Sequence, residues 1–292
     1  MTKQIVALTM SAKQSQFEVE RLCQEAEKMG IAVKRVFYRD LSFEIGRSRV
    51  LAGGEEITKE KTMGIWFRVA GTKTGKYIEG RNLLIRLLQD GVFCVNARSY
   101  LGWPRMGKIA QHGVFVTKGI PVAETKIFYQ KLQVGVGLED WEFPIIAKHD
   151  RGYQGRSVRK FENWEEVEGF LSRIDEKNLG MFLWQKYIPG KWDLRIIVID
   201  GKAIGAMKRS AVGEEFRSNY SLGGKVEEWK LTESERELAE RVARVCELDY
   251  GGVDVMGGRV LEVNRQCQFA GFEKATGINV AKLVVEMILK KV

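Results

Sequence analysis

Asp254, Glu262 and Asn264 lie in "GGVDVMGGRVLEVNRQCQF" (251–269), two short apolar runs around a glycine turn. Valine or isoleucine would be ordinary at those positions; three oxygen donors are not. Such donors suit Mg²⁺, which takes few protein carboxylates and completes its shell with phosphate and water. Glu262 and Asn264 are two apart and share a face of their strand. Parity decides whether Asp254 joins them. A two-residue Gly257-Gly258 turn pairs Met256 with Arg259 and sends Asp254 to the opposite face. A three-residue loop of Gly257, Gly258 and Arg259, or another odd-length connection, sets Asp254 across from Glu262. A metal site therefore predicts the odd-length turn. Two facing carboxylates repel by about 1 kcal/mol or more unless a cation lies between them.

Cations stand elsewhere in the chain. Lys148 leaves the apolar run "PIIAKH" just before "DRGYQGRS" (150–157), a loop whose Gly152 and Gly155, flanking Gln154, permit close backbone approach to a phosphate. Lys108 can supply a second cation from an earlier helix. In the run 194–209, a two-residue Asp200-Gly201 turn pairs Ile199 with Lys202 and sets Arg195 across from Ala206. Asp193 and Arg195 then share a face near Lys208, with Arg209 just beyond. Arg217 and Asn219 follow in a loop, "EEFRSNYSLGG". These charges, gathered before the acidic hairpin, point to an anion site. "GTKTGK" (71–76) imitates a phosphate loop but is one residue short and continues with Tyr77 where Ser or Thr is needed. It reads as a loop at the C-terminal end of a strand, where α/β proteins gather ligands. Arg68 and Lys73 would there meet an anionic substrate.

The elements that must position these groups are legible by periodicity. Strands are expected at 4–10, 32–39, 64–70 and 92–97, with helices at 17–29 and 79–91. Their alternation implies a parallel sheet. A helix at 104–120 precedes strands at 143–149, 158–161 and 181–188. A helix at 163–174 starts on an Asn163 cap. The hairpin 194–209, a helix at 232–249 with a Thr232/Glu235 capping box, the acidic hairpin and a helix at 279–291 complete the chain.

Taken in order, Lys108, "PIIAKH" with its glycine loop, "LWQKYI", "DLR", "KRSAVGEEFRSN", "GGVDV", "LEVN" and "FEKATGINVA" resemble the ATP-grasp superfamily, and most of all its RimK-type glutamate ligases. The resemblance runs from about residue 100 to the C-terminus. It implies a mixed α/β and α+β chain: an N-terminal parallel-sheet domain (1–100), then a two-lobed ATP-grasp fold with a central lobe carrying the glycine loop (101–186) and a C-terminal lobe carrying the metal site (187–292). It also implies roles. Lys108 and Lys148 would contact phosphates, with Gly152, Gln154 and Gly155 folded over them. Lys186, Tyr187 and Ile188 would form the hinge strand that meets adenine. Asp193 and Arg195 would line the nucleotide and substrate side, and Arg209 would reach the transferring phosphate. Arg217 and Asn219 would bind the acyl phosphate or the substrate carboxylate. Asp254, Glu262 and Asn264 would hold two Mg²⁺, with Mn²⁺ as a substitute. ATP would phosphorylate a carboxylate and an amine, such as an amino acid, would attack it. The chain departs from the family after "EVN", where "RQCQF" replaces a small residue and Ser-Pro-Gly, and at Lys186, where an acid is common. Substrate identity therefore does not transfer. Cys267 reads as a packed small hydrophobe, with a substrate-side thiol as the alternative.

Composition narrows the remaining classes. The chain has 292 residues, 45% hydrophobic and 29% charged, enough for two or three cored units. No run approaches a membrane span, and the N-terminus has no signal-peptide pattern. Four scattered cysteines and two histidines argue against zinc and for reduced thiols in the cytoplasm. Of the +9 net charge, the first 100 residues carry +6. That excess suits a polycarboxylate or a nucleic acid, but no basic run is interleaved with aromatics, so no nucleic-acid partner is expected. A small-molecule phosphotransferase is the nearest competing activity, since it would use the same ATP residues. Small-molecule or peptide carboxylates and an amino acid are the expected partners, and the resemblance implies a homodimer or homotetramer.

Overall fold

The alternation of apolar strands and amphipathic helices in the first third builds a parallel sheet. The computed structural model describes residues 3–11, 15–68, 75–152, 157–212 and 224–292. β1 (Gln4–Thr9) leads through α1 (Gln16–Lys28) to β2 (Ala32–Phe37), which pairs parallel with it. A small antiparallel sheet follows, of β3 (Leu41–Glu44), β4 (Arg49–Ala52) and β5 (Glu55–Glu56). The periodicity did not announce it, because its strands are short and its turn at Gly53-Gly54 is the main signal. β6 (Thr62–Phe67), α2 (Lys76–Leu88) and β7 (Phe93–Cys94) return to the main sheet, in the order β2-β1-β6-β7.

The central part opens with α3 (Ala97–Gly102) and α4 (Lys108–Thr117). β8 (Thr125–Lys126), α5 (Lys131–Leu138), β9 (Ile145–His149), β10 (Val158–Phe161), α6 (Trp164–Arg173), α7 (Glu176–Leu179) and β11 (Phe182–Lys186) follow. Their antiparallel sheet runs β10-β9-β11-β8. One face is filled by Ala147, Phe161, Phe170 and Trp184. Asn163 caps α6 as expected, its Oδ1 accepting from the Glu166 N–H at 3.0 Å.

The last third holds β12 (Trp192–Ile199), β13 (Lys202–Ser210), β14 (Lys225–Trp229), α8 (Glu233–Val245), β15 (Tyr250–Met256), β16 (Arg259–Asn264), α9 (Ala270–Thr276) and α10 (Val280–Lys290). Its sheet is antiparallel, in the order β14-β13-β12-β15-β16. Thr232 and Glu235 make the expected capping box on α8. One sheet face is mainly apolar: Leu194, Ile196, Val198, Ala203, Ala206, Val253, Val255, Val260 and Val263 join a core with α8. The other face is divided. Ile197, Ile199, Met207 and Tyr250 join a core with α10 and the parallel sheet, so first and last parts of the chain share one interior. The rest of that face carries charge.

Candidate functional site

The charged half of this face is built by two adjacent hairpins. Both close on two-residue turns whose central residues have positive φ, Asp200 and Gly201 (48° and 76°) and Gly257 and Gly258 (55° and 70°), as a type I′ turn requires. For the second hairpin this corrects the expected odd-length turn: Met256 pairs with Arg259. Asp254 nonetheless lies opposite Glu262, because the register shifts between Asp254 and Val255 and Leu261 is left unpaired in a bulge. Packing explains the choice. With no bulge, Glu262 would fall opposite Val253 on the apolar face, and Val263 would leave it. Each fully buried valine is worth about 1.5–3 kcal/mol, and a carboxylate buried among valines would cost more.

The first hairpin repeats the device. The register shifts at Ile204, so Arg195 pairs with Met207 and not with Ala206, and Asp193 pairs with Arg209 and not with Lys208. These are corrections to the simple two-strand count, and they improve the site. Asp193, Arg195 and Arg209 now share the face of Asp254, since Arg195 also lies across from Asp254 on β15.

The side chains form one network. Arg195 grips Asp254 with two hydrogen bonds, Nε to Oδ1 at 2.8 Å and Nη2 to Oδ2 at 2.7 Å. Arg209 reaches Asp254 at 3.0 Å and donates to Asp193 at 2.5 Å. Lys108, from α4, pairs with Glu262 at 2.8 Å and donates to the Gly152 carbonyl at 2.8 Å. Asn264 Nδ2 lies 3.2 Å from Glu262 and 3.5 Å from Asp254. Burial opposes the charge on Asp254, but Arg195 and Arg209 more than offset it and hold its carboxyl down to about 2. Burial also opposes the charge on Glu262, while Lys108 pulls its titration below the ordinary range. Both acids are ionised at neutral pH. Burial brings Lys148 down to about 8, against the pull of Glu262.

This donor set fits a hard divalent cation. Two ionised carboxylates face one another with an amide beside them, and among the described residues Asp254 Oδ1 accepts one hydrogen bond, from Arg195, leaving a lone pair. No cage of three or more His, Cys, Asp or Glu exists among the described residues. A divalent cation bound here would complete its shell with phosphate and water.

The glycine loop begins as expected. At Gly152 an added Cβ would lie 2.6 Å from Ser157 Cβ and 3.1 Å from the His149 carbonyl, so only glycine fits. Asp150, beside it, caps α4 by accepting from the Ile109 N–H at 2.9 Å. This cap ties Lys108 to the loop it touches. Lys186 ends β11, with Tyr187 and Ile188 beyond; its ammonium pairs with Glu124 at 2.6 Å. Ile188 approaches the second turn, whose Gly257 has room for a Cβ only 3.0 Å from Ile188 Cγ2. Lys73, Gln154, Gly155, Arg217 and Asn219 lie outside the described residues.

Arg68 is placed apart from the acid network. It is fully buried, donates to the Cys267 carbonyl at 3.2 and 3.3 Å, stacks over Trp66, and lies 3.8 Å from Glu18. Cys267 is buried too, with its thiol 3.1 Å from the Tyr250 hydroxyl, and burial pushes its titration up. That is the packed reading, not a reactive thiol. Three polar residues of the site escaped the sequence reading. Gln111 and His112 of α4 touch β16, and Gln185 of β11 touches His112. Their only signal was polarity within otherwise apolar runs.

Three main sheets in this order, with Lys108 of α4 and Lys148 of β9 turned toward acids of the last, follow the plan of an ATP-grasp protein. Residues 106–288 match the model of the RimK-like ATP-grasp domain. A probable alpha-L-glutamate ligase of Aliivibrio fischeri is 31% identical over 293 aligned residues, covering 96% of this chain and 94% of that protein. A probable alpha-L-glutamate ligase 1 of Shewanella frigidimarina is 38% identical over 155 residues, 51% of each chain. The chain thus spans about half the length of that relative. The structure of the ATP-grasp ligase PsnB complexed with minimal precursor, Mg and ADP superposes with a TM-score of 0.76 at 17% identity, over 100% of this chain and 99% of that one. The chain belongs to the RimK-like ATP-grasp family. No helix among the described residues is long and apolar enough to cross a membrane.

Proposed function

We propose that this chain is a Mg-ATP-dependent ligase that joins a carboxylate to an amine, releasing ADP and phosphate. The observation that carries the reading is Asp254 facing Glu262 on the sheet face that also holds Arg195 and Arg209, with Lys108 reaching in from α4. The likeness to probable alpha-L-glutamate ligases supports an amino acid, glutamate, as the amine. The PsnB complex supports a peptide as one carboxylate-bearing partner.

In this reading a carboxylate oxygen of the substrate attacks the γ-phosphorus of ATP. The bond from the γ-phosphorus to its bridging oxygen breaks, and ADP leaves. The amine then attacks the acyl phosphate; inorganic phosphate departs and the amine gives up its proton. Lys108 exchanges Glu262 for phosphate, and Lys148, charged below about pH 8, is held in its charged form by the anion. Asp254, Glu262 and Asn264 would hold Mg²⁺, which neutralises the charge developing on the phosphates. Arg209 and Arg195 add positive charge on the same face, and such preorganised charge carries much of phosphoryl-transfer catalysis. Lys186, Tyr187 and Ile188 would flank the adenine, with Gly152, Gln154 and Gly155 over the phosphates and Asp193 holding Arg209. Arg217, Asn219 and Lys73 complete the substrate side of the proposal, while Arg68, buried against the Cys267 carbonyl and Trp66, is left out of it. The units at 1–100, 101–186 and 187–292, two metal ions and a homo-oligomeric assembly belong to the same reading. A cytoplasmic location is supported by the four free cysteines.

The test is a screen for ADP release over pairs of carboxylates and amino acids, with mass spectrometry of the product. Amine-dependent ADP release and a new amide are expected. A stable phosphoester formed without an amine would replace the ligase reading with a phosphotransferase.

A further inference from the structure

β16 is the last strand of its sheet, so among the described residues no strand lies against its outer edge. Its outward polar groups are met by α4 and by the segment after it. The Val260 N–H donates to the Pro121 carbonyl at 2.8 Å. Gln111 brackets Val263: its Oε1 accepts from the Val263 N–H at 2.7 Å, and its Nε2 donates to the Val263 carbonyl at 3.2 Å. His112 Nε2 lies 3.2 Å from the Leu261 carbonyl.

The tautomer of His112 follows from its other side. Gln185 Nε2 donates to the Thr125 hydroxyl at 2.8 Å and lies 3.3 Å from His112 Nδ1. Nδ1 therefore accepts, and Nε2 carries the proton that it donates to Leu261. Lys108, Gln111 and His112 are spaced i, i+3 and i+4 and share one face of α4. That single face holds the residue before Glu262, the Glu262 side chain, and the residue after it.

Leu261 is the bulged residue, with no partner on β15. A bulge frees a backbone group that burial obliges to find another partner. His112, 5% exposed, meets the Leu261 carbonyl from outside the sheet, and Gln111, also 5% exposed, pins the edge N–H and carbonyl of Val263, two residues further on. Without them the hairpin loses the brace that favours the bulged register over the regular one. Only the bulged register keeps Glu262 opposite Asp254.

We propose that Gln111 and His112 are positioning residues for the divalent cation: by bracing the Leu261 bulge they keep Glu262 facing Asp254. The proposal rests on the Mg²⁺ reading of that carboxylate pair. Both residues act through the backbone of β16 and not through the carboxylates themselves. Because His112 also touches Gln185, next to the hinge residue Lys186, one imidazole links the hinge strand to the metal strand.

The experiment titrates Mg²⁺ calorimetrically into the whole chain saturated with ADP, and separately measures ADP binding without metal. Gln111→Met and His112→Phe should each weaken Mg²⁺ binding about tenfold or more, the usual consequence of losing a residue that orients a metal ligand. Metal-free ADP binding should not change. His112→Gln, whose carboxamide can still donate to the Leu261 carbonyl, should recover most of the loss. Thermal melting reports the fold of each variant; if His112→Phe does not fold, Gln111→Met decides the outcome. Native Mg²⁺ affinity in Gln111→Met and His112→Phe, with Glu262→Gln defective, overturns the proposal and leaves the metal reading standing. Native affinity in Glu262→Gln overturns both. Equal loss of Mg²⁺ and of metal-free ADP binding marks a general structural role and also overturns it.

Discussion

The two hairpins of the last sheet share one construction and differ in what holds them. Each closes on a two-residue turn with positive φ, and each carries one bulged residue, Ile204 in β13 and Leu261 in β16. The first brings arginines to the shared face and the second brings acids. β13 is an interior strand, flanked by β12 and β14. Ile204, the bulged residue, packs against the core shared with α9 and α10, and an added Cβ on the following Gly205 would lie 2.7 Å from Ile278 and 3.3 Å from Phe272. β16 is an edge strand, and its bulge is held by side-chain hydrogen bonds from α4. Apolar packing favours both bulges, and the acid side adds a polar brace from a different part of the chain. The arginines thus form a cationic floor held by packing and ion pairs, and the acids a rim at the sheet edge.

This contrast predicts different costs for damage on each side. Arg209 is 2% exposed and bonded to both Asp193 and Asp254. Arg209→Met leaves these buried acids short of a cation and should cost about 3–5 kcal/mol of stability, read by denaturant unfolding. Glu262→Gln should cost less than about 1 kcal/mol, because its pair with Lys108 is partly exposed and its repulsion with Asp254 is relieved. Equal costs would dissolve the distinction between floor and rim.

Lys148 sharpens the comparison from the central sheet. Burial lowers its titration to about 8, so it is charged below that pH and neutral above it. An anionic nucleotide favours the charged form. Metal-free ADP affinity should therefore decline as the pH rises past about 8, and Lys148→Arg, charged throughout, should remove the decline. A flat profile in the native protein would place Lys148 away from phosphate. The smallest effect is expected at the second turn. Gly258 has φ of 70° and open space around it, so Gly258→Ala tests backbone strain alone. It should lower stability by about 1 kcal/mol and leave Mg²⁺ binding intact, since the register is braced elsewhere.

Much of this was readable from the sequence. Apolar alternation located both hairpins, Asp-Gly and Gly-Gly located their turns, and oxygen donors in an apolar strand located the acids. Parity was not readable from the turns. The odd-length loop inferred from Gly257, Gly258 and Arg259 is a two-residue turn, with the extra residue placed at Leu261. The signal lay in the spacing of core residues: Val260 and Val263, and likewise Ala203 and Ala206, are three apart yet share one buried face. Strict alternation cannot do that without a bulge. The brace was harder to see. Gln111 and His112 meet β16 across some 150 residues of sequence, and no local pattern encodes that contact. Arg68, read as a substrate cation from its place at a strand end, is turned instead to the Cys267 carbonyl and Trp66, an environment set by the loop "RQCQF" at the far end of the chain.

The central claim is that Asp254 and Glu262 together hold the metal that ATP chemistry requires. The direct measurement is Mg²⁺-dependent ADP release by the native chain, by Asp254→Asn and by Glu262→Gln, each first shown to be folded by its circular dichroism. The account predicts release by the native chain and none above background by either variant at any Mg²⁺ concentration that saturates the native protein. Near-native release by both variants would contradict it.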